Sequence, residues 1–236
     1  AATAMLFFDE HRVREVADAL AARIHGWSAD YLPIDESDYP PSVLAPLTRQ
    51  HRALEEQGFR ALGDFEVTQL YLRTHGVHQL ARLFTSADGR AYAALVCTAI
   101  SIDDSMALHE DALLEFVSEL DDGRFVYTLE SSGEERVLEP PTFEQTPRPV
   151  GTEVAELWRL HRERLTNEAP VIVRDFDGLL ASQKREAELR RAHAISLAER
   201  GLTRAQVRAL GGPNNVVLAH RVARQLRRRV GRPGAF

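Results

Sequence analysis

The sequence predicts an α+β protein: an antiparallel meander of five or six strands packed by helices, followed by a C-terminal helical extension. Three observations carry that expectation. Asp88-Gly89 and Asp122-Gly123 each sit between runs of strand-forming residues, and Gly supplies the positive φ that tight hairpin turns need. The flanking segments repeat apolar residues at helical spacing. Charge is divided unevenly, since residues 184–236 carry 13 Lys or Arg against three Glu, and the first 183 carry 16 basic against 32 acidic residues. The expected division is therefore an α+β domain over 1–166 (helices 9–25 and 42–57, sheet 64–138, helix 152–165) and a basic helical extension over 167–236.

Taken in order, Asp9 reads as a cap for a first helix with the apolar stripe Val13, Val16, Leu20 and Ile24, ended by Gly26. This helix is expected to pack on the sheet. Trp27 to Pro41 reads as a loop with three prolines. Ser42 is placed to cap a second helix, which tolerates Pro46 only near its first turn and continues through Leu54 to Gly58. Phe65, Val67, Gln69 and Tyr71 alternate with Glu66, Thr68, Leu70 and Leu72 as a first strand.

Leu80–Thr85 and Ala91–Ile100 flank the first Asp-Gly turn. Ala91–Ile100 is apolar at almost every position, as a central strand covered on both faces should be, and it carries Cys97, expected as a core thiol. Leu113–Leu120 and Phe125–Glu130 flank the second turn. In the latter, Phe125, Tyr127 and Leu129 share one face, while Val126, Thr128 and Glu130 share an expected wet face. Ser132-Gly133-Glu134 leads to a further candidate strand, Arg136–Leu138.

Pro140–Pro149 holds four prolines and reads as an extended connector. Thr152 is placed to cap a helix whose Val154, Leu157, Trp158, His161 and Leu165 fall on one broad face that returns to the sheet. Val171-Ile172-Val173 is open between strand and loop. Asp175 or Asp177 begins a long helix whose Lys184–His193 stretch is charged nearly all round. Thr203 caps a short helix, and Gly211-Gly212-Pro213 separates it from a last one over Asn214–Val230, with Val217, His220, Leu226 and Val230 roughly aligned.

Gly58–Phe65, reading GFRALGDF, and the hairpin segment LLEFVSELDDGR (Leu113–Arg124) resemble stretches of uncharacterised bacterial proteins. Those proteins carry an N-terminal membrane segment ahead of a soluble α+β region. The resemblance covers roughly Leu54–Leu165, and it implies no activity, cofactor or site residue. The start, Ala1-Ala2-Thr3-Ala4 followed by Met5-Leu6-Phe7-Phe8, reads as a processed or trimmed soluble terminus, with the stub of a signal or anchor segment as the alternative. No run reaches the roughly 18 apolar residues of a membrane helix. One cysteine excludes an internal disulfide; the compartment stays open, cytoplasmic or membrane-associated, with a reducing one slightly favoured.

No catalytic or cofactor motif stands in the context that its chemistry needs. Val171–Gly178 resembles the nucleophile motif of the haloacid dehalogenase phosphatases, in which two Asp serve a magnesium ion. Here Leu179 replaces the usual Thr, and the residues that follow read as helices with no strands for the required sheet. Helix capping is the better reading. Asp103, Asp104, His109, Glu110 and Asp111 form an acidic loop suited to a hard cation or acid/base work, though turn and cap roles explain them as well. His75 and His78 lack a nameable third ligand, and Gly211–Asn214 lacks the Lys-Ser/Thr ending of a phosphate loop. No cofactor or metal is therefore expected.

The remaining feature is a set of arginines, Arg204, Arg208, Arg221, Arg224, Arg227, Arg228 and Arg229, on two helices joined by a glycine turn. Arg221, Arg224 and Arg228 recur at three and four residues as one stripe. The set reads as a partner- or nucleic-acid-binding surface. Docking on carboxylates of the chain itself or of a partner protein is the leading expectation, followed by nucleic acid and an anionic membrane surface. The order places a non-catalytic protein-binding or scaffolding module first, a nucleic-acid-binding protein second and a hydrolase using 103–111 third.

Overall fold

A computed structural model describes residues 2–25, 30–68, 76–102, 105–131, 139–210, 212 and 216–230. The chain forms two compact units: Ser28–Glu134 with Pro141–Glu186, and Ala1–Trp27 with Glu135–Pro140 and Ala187–Phe236. The boundary at residue 166 expected from sequence does not coincide with this division.

The first unit contains a seven-stranded sheet in sequential order: β1 (Asp30–Pro33), β2 (Phe59–Thr68), β3 (Val77–Ser86), β4 (Tyr92–Ile102), β5 (Ser105–Glu119), β6 (Phe125–Glu130) and β7 (Phe143–Arg148). Neighbours are antiparallel from β1 to β6, and β7 lies parallel to β6. The protein is thus α+β with a mostly antiparallel sheet. The expected count of five or six strands is corrected to seven, because two segments read as loop and connector form the edges. Both edge strands contain proline, Pro33 and Pro147. A residue without an N–H is tolerated at an edge and not in the sheet interior.

Both Asp-Gly pairs lie at hairpin tips. Ser86 N–H bonds Ala91 O across the first turn, and Leu120 N–H bonds Arg124 O across the second. Gly89 and Gly123 have φ of 71° and 82°. The extra length of β5 converts the expected connection at 105–111 into strand, so His109, Glu110 and Asp111 are strand residues. Asp103 and Asp104 lie outside the described residues, as do Gly26, His75, Ser132–Leu138, Gly211, Pro213 and Asn214 and the expected strand positions from Gln69 to Leu72.

One sheet face is covered by α2 (Pro41–Arg49), α3 (His51–Glu56) and α4 (Val154–Arg164), whose Val43, Leu47, Leu54, Leu157 and Trp158 pack with Leu80, Phe84, Leu95, Cys97, Leu114 and Phe116. Each large side chain buried there contributes roughly 1.5–3 kcal/mol. Gln50 interrupts the single helix expected over 42–57. The N-cap of α2 is Pro40, not Ser42, and neither α2 nor α4 receives a side-chain cap. Thr152 instead donates its hydroxyl to Pro149 O at 2.6 Å.

The opposite face meets the first turns of α5 (Phe176–Arg200). Phe176 stacks on Phe65 at 4.4 Å, Tyr31 donates to Gln183 at 2.8 Å, and Arg185 grips Glu119 through two bonds of 2.5 and 2.6 Å. The expected wet face of β6 is also absent: Thr128 meets His161 of α4 and Val126 packs with Leu165, and all six residues of the strand are buried. Asp175 accepts the Gly178 N–H at 2.9 Å, the capping role foreseen for it.

The second unit is helical. It comprises α1 (Ala2–His25), the later part of α5, α6 (Arg204–Ala209) and α7 (Val216–Val230). α1 starts well before Asp9, which lies inside the helix. Its stripe, Val13, Ala17, Leu20 and Ile24, packs with Ala194, Ala198, Val207, Leu210, Val222 and Leu226. This corrects the expectation that the first helix covers the sheet. Thr203 and Gln206 form a reciprocal capping box at the start of α6. Gly212 is required by space, since a Cβ there meets the Val207 side chain at 2.6 Å.

Candidate interaction surface

The seven arginines all belong to the helical unit, and the structure separates them by role. α7 buries Ala219, Val222, Ala223, Leu226 and Val230, and turns Val217, His220, Arg224, Arg227 and Arg228 outward. The expected alignment of Val217 and His220 with Leu226 is corrected: Val217 is 67% exposed. Small residues set the phase, because Ala219 and Ala223 fill the seam and allow close helix approach.

Arg221 and Arg229 are half-buried and reach carboxylates of α1. Arg221 donates to Glu10 Oε1 at 2.8 Å, and Arg229 pairs with Asp18. The bond from Arg221 is the main reason that the Glu10 carboxyl is held below its ordinary range. Both pairs join residues 211 apart in sequence, so they advance together by two turns and the two helices run parallel. Arg204 and Arg208 are exposed one turn apart on α6. Among the described residues, no side-chain hydrogen bond or ion pair engages Arg204, Arg208, Arg224, Arg227 or Arg228.

By sequence, the helical unit holds 15 Lys or Arg against eight Asp or Glu, whereas the sheet unit holds 14 against 27. No carboxylate side chain occurs from Arg200 to Phe236. The outward face of α7 is therefore a positive surface with no internal neutralisation along its own helix.

Of the other sequence candidates among the described residues, Asp111, Glu110 and His78 have structural partners. Asp111 pairs with Arg49 at 2.9 Å and also accepts the Ala112 N–H, while Glu110 accepts the Thr98 hydroxyl at 3.1 Å. His109 is exposed on β5. His78 lies on β3, where its Nδ1 bonds Glu66 at 2.9 Å, and Tyr39 donates to the other oxygen of that carboxylate. Among the described residues, no group of three or more His, Cys, Asp or Glu is placed to hold a metal ion. Nor is any helix among them long and apolar enough to cross a membrane.

Sequence reasoning missed one polar cluster. His161, on the buried face of α4, lies 3.0 Å from Ser118 Oγ through Nε2 and 3.1 Å from Thr128 Oγ1 through Nδ1. Ser118 donates its single hydroxyl proton to Arg90 O at 2.7 Å. The imidazole must then donate from Nε2 and accept at Nδ1, which fixes a neutral tautomer. Burial pushes its pKa down to about 3. The serine proton is committed to a carbonyl and the cluster is sealed, so the pair is a packing device and not a nucleophile with its base. The signal in sequence was a polar residue on alternate positions of β5 and β6 facing an otherwise apolar helix stripe.

These features define an α+β sheet unit joined to a basic helical unit with an arginine-lined outer face. Compared with known proteins, the chain matches no protein-family model, no curated protein and no solved structure.

Proposed function

We propose that the chain is a non-catalytic binding or scaffolding module that meets another protein through the outer face of α7. The observation supporting this reading is the asymmetry of that helix. Its inner flank already takes carboxylates, through Arg221–Glu10 and Arg229–Asp18, while Arg224, Arg227 and Arg228 face outward. Exposed arginines beside an exposed Val217 suit a protein surface that offers both carboxylates and apolar contact.

Nucleic acid is the second reading. It is favoured by the succession of a short helix, a glycine turn and a longer helix, and by the lack of any carboxylate side chain after Glu199. The likeness of the sheet region to proteins with an N-terminal membrane segment supports a membrane-associated setting for either reading.

The test is affinity capture from native lysate with the full chain, with and without nuclease, against Arg224→Glu/Arg228→Glu. A nuclease-resistant protein partner lost in the double variant supports the first reading. Nuclease-sensitive capture moves the second ahead of it. Equal capture by both chains overturns the assignment of α7.

A further inference from the structure

Resting on that reading, we infer that the outer face of α7 takes an acidic α-helical segment of a partner protein, laid along the helix as α1 is laid along its inner flank. The inference comes from two spacings. The seam residues of α1, Val13, Ala17, Leu20 and Ile24, recur at i, i+4, i+7 and i+11, the row that one helix presents to another lying along it. On the outer face of α7, Val217, Arg224 and Arg228 recur at i, i+7 and i+11 of that row, while Arg221, at i+4, turns to Glu10 on the inner flank. That row has an apolar member 67% exposed at one end. Two exposed arginines, Arg224 and Arg228, lie one turn apart at the other.

α1 and α7 show how such a row is read. Their apolar residues meet in a seam, and arginines of α7 reach across to carboxylates two turns apart on the facing helix. A second acidic helix on the outer face would place Asp or Glu opposite Arg224 and Arg228 and a Leu or Ile opposite Val217. Duplex DNA matches the charge and leaves Val217 without a comparable contact along a phosphate backbone. An anionic bilayer likewise matches the charge, but the apolar face of α7 is already buried in the helical unit, so no apolar stripe is left to insert.

The probe is a synthetic helical peptide of about 20 residues with Glu at i, i+4 and i+7 and Leu one turn before the first Glu. Its control has the same composition in scrambled order, and both are titrated against the full chain. The ordered peptide should bind at least about tenfold more tightly than the scramble, a difference of about 1.4 kcal/mol. Arg224→Glu/Arg228→Glu should remove that advantage, and Val217→Ser should reduce it with no change in fold by circular dichroism. Equal binding of the two peptides with loss in the charge-reversed chain overturns the helical partner and leaves the arginine surface standing. So does tighter binding of a 20-base-pair duplex or of phosphatidylserine vesicles, each lost in that variant. No binding of any probe, together with unchanged capture in lysate, overturns the surface itself.

Discussion

The carboxylate of Glu130 accepts the Leu114 N–H at 2.8 Å, continuing the β5 ladder one residue past its last pairing with β6. Its other oxygen accepts the Gly151 N–H at 2.6 Å, ahead of α4. One buried side chain thus satisfies two backbone donors of separate segments. Glu130→Ala leaves both unpaired and should destabilise the chain by about 2–4 kcal/mol. Glu130→Gln, which keeps one acceptor, should cost less. Urea unfolding checks this as a shift in midpoint at constant slope. Equal losses for the two variants would remove the bridging role.

His161 gives the chain a specific acid sensitivity. Its folded pKa of about 3 lies below the roughly 6.5 of an unfolded histidine. Above about 6.5 both states are neutral and the residue adds no pH dependence. As pH falls from there toward 3, only the unfolded chain takes the proton, and stability is lost at up to about 1.4 kcal/mol per unit. His161→Gln should flatten this part of the stability profile, measured by denaturant midpoints between pH 7 and about 4. An unchanged slope would mean that the imidazole is not held neutral.

The two hairpin glycines should respond differently to alanine. At Gly89, a Cβ would meet the Ile172 side chain at 2.9 Å and Val173 O at 3.1 Å, whereas at Gly123 nothing lies within 4 Å. Gly123→Ala carries only the cost of positive φ, about 1–2 kcal/mol. Gly89→Ala adds a clash with the segment that bonds Gly89 O through the Val173 N–H. The thermal midpoint of Gly89→Ala should therefore be the lower of the two.

Cys97 is 1% exposed, with its thiol pushed up to about 11 by burial. Labelling by a disulfide reagent at neutral pH should be slow and should accelerate only with unfolding. Rapid labelling of native protein would show that the β4 core is open at that point.

The surface pairs of the helical unit should matter less than its seam. Glu10 and Asp18 are roughly half exposed, so replacing either by its amide should lower stability only slightly, and less at high salt. Leu226→Ala, in the seam, should cost about 2–5 kcal/mol. Comparable losses would mean that charge, and not packing, holds α7 to α1.

What sequence made legible was local. The Asp-Gly turns, the central apolar strand, the Asp175 cap and the Thr203 cap each depend on residues within a few positions. β1 and β7 were hidden because short proline-bearing segments become strands only by pairing with a distant neighbour. The arginines were visible as a pattern, but their sorting was not. Arg221 and Arg229 differ from Arg224 and Arg228 only through carboxylates 211 residues away. The phase of α7 was misread because alanines carry a weak hydrophobic signal yet decide how closely helices approach.

That separation has a consequence for how the protein is made. A ribosome releases α1 before α7, which follows only after the whole sheet has been synthesised. Throughout that interval the apolar stripe of α1 lacks its final cover and is open to chaperones or to misassociation between nascent chains. Arrested synthesis, or proteolysis before α7, would leave a folded sheet trailing a sticky amphipathic helix. Quality-control machinery would therefore meet the defect at α1 although the missing part is α7.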